Sequence, residues 1–439
     1  STTFSGVISG TNGNIIKAGT GTLTLSGANT YTGTTTINAG DLTVSGSLHD
    51  STAVTIASGA DYNVNASDTV ASIEGAGNIV IASSQTLTAG DGNDKTLSGV
   101  ISGAGNYIKA GSGTQTLSAS NTYTGTTQVS AGTLTVSGSG RLSDSTAVTV
   151  DSGAVYNVAV SDTVASIAGA GSITLGSNTL TSGGSDASTT FSGVISGTNG
   201  NIIKAGTGTL TLTGNNSYTG STTISAGLLK IIRDDPTSYL AATSGFTGPG
   251  NLTIESSGDD FTADIVTGTH VQLAGTALGN LIIGKTGNTR QIDLSSDITT
   301  TGTQTYNGPV RLVGGDRTVS TTNSNVIFAS TVNSDGTQRA LTVTNGTGDT
   351  TFSGAIGGSA PVKSLTITSD QLTAGAITLN GALTATLGGS SSITGVIANG
   401  ASTANLVKAG SGTLTLSASN TYTGTTQVSA GTLTVSGSG

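Results

Sequence analysis

The chain has 439 residues, among them 68 Gly, 4 Pro, 2 His and no Cys, Met or Trp, with 3% aromatic and 8% charged side chains and a formal net charge of −9. The negative balance argues against nucleic acid and anionic lipid as partners, because both attract clusters of Lys and Arg. The missing cysteines exclude disulfides and thiolate metal sites, and the lack of any run of about 20 apolar residues excludes a helical membrane span.

The first half reads as repeats. Residues 4–25, FSGVISGTNGNIIKAGTGTLTL, return unchanged at 191–212, and YNVNASDTVASIEGAGNI from Tyr62 returns from Tyr156 with few changes. Residues 110–140 return at 409–439 with one change, Gln115 to Leu414. Short alternating runs fill the repeats, such as Leu23-Thr24-Leu25, Leu42-Thr43-Val44 and Val54-Thr55-Ile56, with Gly, Asn, Ser or Asp between them. Alternation puts aliphatic side chains on one face of a strand and hydroxyls on the other. No apolar period of 3.6 is present, so helices are not expected.

Short strands at this spacing suit a sandwich, a barrel or a parallel β-helix, and the exact copies favour the last, since a repeated unit buries its apolar face by stacking on its neighbour. The expected fold is therefore all-β, an elongated parallel β-solenoid with roughly three strands per coil. At about 23 residues per coil and about 4.8 Å rise it would hold roughly 16 to 19 coils. Residues 1–227 read as regular β-helix repeats in units of 92 and 95 residues, counted from Lys17 to Lys109 and Lys109 to Lys204. Residues 228–280 read as a divergent decorated coil or protruding loop, 281–400 as divergent β-helix, and 401–439 as the start of a further regular repeat. Without Met, and ending inside a repeat, the sequence reads as a window from a longer array.

Lys17, Lys109, Lys204 and Lys408 hold one register, and each is followed 14 residues later by Tyr31, Tyr123, Tyr218 or Tyr422. Equivalent side chains would recur as spaced marks along one face, which makes these eight the candidate surface contacts. The segment 230–270 is enriched in charge, proline and aromatics, including Tyr239 and His270. Its Asp234, Asp235, Asp259 and Asp260 are candidate loop contacts, and with Asp264 and Arg233 they are the only candidates for sugar chemistry. Gly279 to Thr286 matches the phosphate-loop pattern, but its Leu281-Ile282-Ile283 reads as a strand and no helix follows. Asp91-Gly92-Asn93-Asp94 reads as an acidic turn rather than one of a tandem of calcium repeats. Two His cannot supply a three-His/Cys zinc site. No catalytic residue, metal or cofactor is expected.

The segment GVISG…IKAGTGTLTLSGANTYTGTTTINAGDLTVSG at 6–46, repeated at 99–138, 193–227 and in part at 395–437, resembles the β-strand repeat of autotransporter passengers. TQTYNGPVRL at 303–312 and TFSGAIGG at 351–358 resemble filamentous-haemagglutinin-like exoproteins. The resemblance implies a right-handed β-helix at the surface of, or secreted from, a Gram-negative cell. It implies a stalk or fibre segment of an adhesin, non-catalytic, with a cell-surface or matrix ligand or further copies of itself as partners. The other readings are a subunit of a self-assembling extracellular filament or sheath, and a β-helix polysaccharide lyase or hydrolase.

Overall fold

In the computed structural model, residues 1–236, 245–273 and 278–436 are described; Tyr239 lies outside the described residues. Among them there is no helix, and every strand pairing is parallel. The chain divides into two units, Ser1–Ser221 and Thr222–Gly439, each a β-solenoid.

In the first unit the alternation seen in the sequence becomes ladders. Leu25 pairs with Val44, Val44 with Val64, and Val64 with Ile81; two residues back on the same strand face, Leu42, Tyr62 and Ile79 follow one another, and Ile101 continues that line. All are buried. Fully burying one such side chain stabilises by about 1.5–3 kcal/mol, and the Thr or Asn between two inward residues faces outward. In the second unit Leu341, Leu365, Leu383 and Leu406 form the same kind of ladder. No described strand pairs back across a stack to close a barrel: Asp68–Val70 pairs with Thr86–Ala89, and Thr432–Val435 with Thr413–Leu416.

The coils are shorter than 23 residues in the first unit, where partners lie 19 residues apart from Leu23 to Leu42 and 20 from Leu42 to Tyr62. The described coils of the two units together number about 21 turns, more than the sequence spacing suggests. Two local features shorten the coils. Some have three strands, such as Asp68–Val70, Ser72–Gly75 and Asn78–Ile81. Those carrying the Asn-x-Tyr segment have two, such as Asn106–Lys109 and Thr114–Leu117, and an irregular third side. Corners are also tight because glycine lets backbones touch. A Cβ on Gly193 would lie 1.6 Å from the carbonyl oxygen of Gly171 in the coil below. Gly193→Ala should therefore push two coils apart and cost about 1–3 kcal/mol, as overpacking does; a lowered urea midpoint would show it.

In the second unit, coils lengthen where the sequence diverges. Leu252 sits above Leu229 and below Leu281, at separations of 23 and 29 residues. The described parts of 228–280 follow the coil path, with strands Leu228–Ile232, Asn251–Glu255 and Ile265–Val266.

Candidate functional site

The recurring lysines are not on the surface. Lys17, Lys109, Lys204 and Lys408 are 5%, 1%, 1% and 0% exposed. Lys17, Lys109 and Lys204 end their strands and Lys408 is the last residue but one of its strand, all at inward positions: Lys109 stands between Ala89 and Val129 in one ladder, and Lys408 above Ala385. The four-carbon stem is apolar and continues the ladder, while the ammonium turns to the corner. There Lys17 Nζ donates to the carbonyls of Gly19 and Ala39, both at 2.8 Å, and Lys109 Nζ to those of Gly111 at 2.9 Å and Ala131 at 3.1 Å. Lys408 Nζ reaches Ala409, Gly410 and Ala430 at 2.7, 3.0 and 3.3 Å. Lys204 holds Ala205 and Gly206 at 2.6 and 2.8 Å. For Lys17, Lys109 and Lys408 the ammonium thus binds its own corner and the carbonyl 22 residues on, in the next coil. Burial pulls Lys109, Lys204 and Lys408 below the ordinary lysine pKa. The period-two pattern carried the signal, since in NIIK, NYIK and NLVK the lysine shares a strand face with the inward Tyr107, Ile202 or Leu406.

The tyrosines are inward too. Tyr31, Tyr123 and Tyr218 are at most 2% exposed, and Tyr422 is half-buried. The Tyr31 hydroxyl bonds Thr35 Oγ1 at 2.5 Å, Tyr123 bonds Thr127 likewise, and Tyr422 bonds Thr426 at 2.6 Å. A surface-contact role for these residues is thereby corrected: a phenol ring fills the irregular third side, where no strand supplies aliphatic side chains, and the hydroxyls of Tyr31 and Tyr123 find buried partners.

Two asparagines complete the module. Asn14 Oδ1 accepts from the backbone N and Oγ1 of Thr34 at 2.7 and 3.0 Å. Asn106 does the same with Thr126, Asn201 with Ser221 and Asn405 with Thr425, always 20 residues on. Asn29 accepts from Ile8 N at 3.0 Å and donates to the carbonyls of Gly27 and Ser47 at 3.0 and 2.9 Å, so one amide clamps three levels of the stack. Asn121 repeats this with Ile101, Ala119 and Arg141. These side chains replace the ladder hydrogen bonds that the corners lack.

The acidic segment is tied to itself: the Asp234 carbonyl accepts from Thr262 N at 2.7 Å and from Thr262 Oγ1 at 3.0 Å. Asp234 is exposed and accepts from Ser257 N at 2.7 Å and Oγ at 2.8 Å. Asp260 accepts from Thr289 N, from Thr289 Oγ1 at 2.6 Å and from Arg290 N at 3.2 Å. Those bonds hold both carboxyls below the usual carboxylate range. Each therefore caps the backbone of the coil above. Asp235 and Asp259 are exposed. Arg311 grips Asp293 with two bonds, at 2.8 and 2.6 Å, and stands 4.0 Å from Asp264. His270 Nδ1 accepts from Val266 N at 3.0 Å, and burial lowers its pKa. The phosphate-loop match contains the strand Leu281–Ile283, and Lys285 reaches the Gly258 carbonyl at 3.3 Å. Asp91 accepts from Asn93 N within its own turn, at 2.7 Å, and Asp94 from Thr114 N of the next coil, at 2.7 Å. Among the described residues no group of three His, Cys, Asp or Glu is placed to hold a metal.

Sequence reasoning missed two buried pairs, Tyr62 with Asp68 and Tyr156 with Asp162. Their only signal was the repeated YNVxxSD, in which Asp follows Tyr by six residues. It also missed Tyr107, fully buried with a hydroxyl that has no hydrogen-bond partner among the described residues. The other copies hold Ile15, Ile202 and Leu406 there. Tyr107→Phe should stabilise by up to about 1 kcal/mol, because it removes a polar group buried without a partner; a raised thermal midpoint would show it.

Each unit is thus a parallel β-solenoid whose repeated polar residues bind one coil to the next. The passenger-associated-transport-repeat matches at residues 15–44, 108–136, 202–231 and 406–435, and each match contains one of the Lys–Tyr pairs. Adhesin BmaC autotransporter of Brucella suis biovar 1 (strain 1330) is 34% identical over 338 residues, 71% of this chain. The chain spans 9% of that relative's length. No solved structure matches. The chain is a β-strand repeat protein of the autotransporter-passenger type.

Proposed function

We propose that this chain is a non-catalytic stalk segment of an adhesin displayed outside a Gram-negative cell. The observation that carries this reading is where the repeated side chains are spent. Lysine, tyrosine and both asparagines of each module bond within the stack, so copying the module adds length and not binding groups. The carboxyls of Asp234 and Asp260 are spent on hydrogen bonds to neighbouring coils. The similarity to an autotransporter adhesin supports the extracellular setting. The role is mechanical: parallel hydrogen bonds run along the stack and aliphatic ladders exclude water.

Antibodies raised against the chain should label intact cells of the source bacterium without permeabilisation. Labelling only after permeabilisation would contradict the placement. Incubation with a panel of acidic and neutral polysaccharides should release no new reducing or unsaturated ends. Release that is lost in Asp234→Asn or Asp260→Asn would contradict the non-catalytic reading.

A further inference from the structure

Two carboxylates lie inside the first unit, Asp68 at 4% and Asp162 at 3% exposure. Neither forms a salt bridge among the described residues. Asp68 accepts the Tyr62 hydroxyl at 2.8 Å, the Leu48 N–H at 3.1 and 3.3 Å on its two oxygens, and the Thr69 N–H at 3.1 Å. Asp162 repeats the arrangement with the Tyr156 hydroxyl, the Leu142 N–H at 3.1 Å and the Thr163 N–H at 3.0 Å. Leu48 and Leu142 each lie 20 residues earlier, so each carboxyl joins its own coil to the one before.

The groups facing the two sites differ. Asp68 faces Tyr62, Tyr31 and the like charge of Asp50. His49, next to Leu48, is engaged with Ser51 at 2.8 Å. Asp162 faces Tyr156, Tyr123 and the opposite charge of Arg141.

We propose that the Tyr62–Asp68 and Tyr156–Asp162 pairs are proton-binding latches that make the first solenoid unit more resistant to unfolding in mildly acidic medium than at neutral pH. A buried carboxylate without a cation is costly, and taking up a proton removes that cost. The hydrogen bonds survive the change, because a tyrosine hydroxyl donates to a carboxylate and accepts from a carboxylic acid. Burial raises Asp68 to about 6 and moves Asp162 in the same direction. Arg141 opposes the rise at Asp162, which makes Asp68 the stronger latch.

The sign follows from proton counting. Between the ordinary carboxylate value of about 3.9 and the folded value, the folded chain holds a proton that the unfolded chain has released. Stability therefore falls as pH rises through the window that ends at about 6 for Asp68. Within it the unfolding constant rises by up to about tenfold per pH unit. Surface carboxylates such as Asp94 and Asp186 act oppositely and lower: backbone N–H groups hold them below the usual range, so their support is lost only as pH falls further. His270, in the second unit, has its charged form disfavoured by burial, so acidification through its range destabilises.

The test is amide hydrogen exchange of the full chain at about pH 5 and about pH 7.5, corrected for intrinsic exchange. Leu48 and Leu142 should be better protected at the lower pH, Leu48 by the larger factor. Equal or weaker protection at the lower pH would overturn the proposal. The double variant Asp68→Asn, Asp162→Asn carries a neutral amide at both sites and should lose this pH dependence. A folded double variant that kept the wild-type slope would overturn the proposal as well. If the variant fails to fold, the wild-type exchange comparison still decides.

Discussion

Replacing Lys109 by Met should destabilise the coils around it by about 2–4 kcal/mol, the cost of taking a charged donor away from buried carbonyls. Met keeps most of the stem that packs between Ala89 and Val129, so the loss isolates the ammonium. What disappears is a charged donor shared by the carbonyls of Ala110, Gly111 and Ala131, and each hydrogen bond to a charged group contributes about 1.5–3 kcal/mol. Strands Asn106–Lys109 and Thr127–Val129 should lose exchange protection first, because the Ala131 bond ties one coil to the next. A Met variant as stable as the parent would mean that these carbonyls are equally well served by water.

Phe328→Ala should cost roughly 3–5 kcal/mol in the second unit, as for an aromatic side chain removed from a core. Phe328 stacks on Tyr306 at 5.0 Å between ring centroids and on Phe352 at 4.8 Å, with interplanar angles of 10° and 2°. The three rings occupy one ladder position in successive coils. Truncation therefore opens a cavity and breaks two stacking contacts, each contributing about 0.5–1.5 kcal/mol beyond burial. Phe328→Leu should cost less, because it refills most of the space. Thermal unfolding of the two variants against the parent checks both the size and the order.

The ladders were legible because alternation has one physical meaning in a strand: Leu23-Thr24-Leu25 turns its aliphatic residues to one face and its hydroxyl to the other, whatever surrounds it. Stacking followed from the copies, since residues 4–25 and 191–212 must fold alike. The lysines were misplaced because charge suggests solvent, whereas the ladder puts Lys109 directly above Ala89 and the corner carbonyls receive its ammonium. Coil length was overestimated because asparagine side chains do the work of turn backbone. Asn14 reaching Thr34 binds one corner to the corner a coil further on, and nothing local shows a bond to a residue 20 positions away. The same blindness hid the latch between Asp68 and Leu48. For Asp234 and Asp260, nothing local showed that each carboxyl bonds the coil above, through Ser257 and Thr289.

The central claim is that the repeated residues hold coil to coil and are not displayed. Lysine acylation of the folded chain, read site by site by mass spectrometry, tests it most directly. Lys109, Lys204 and Lys408, at most 1% exposed, should react at least about tenfold more slowly than Lys363, whose side chain is 56% exposed, the factor expected when reaction needs a local opening of about 1.4 kcal/mol or more. Equal acylation of the repeat lysines and Lys363 would contradict the account.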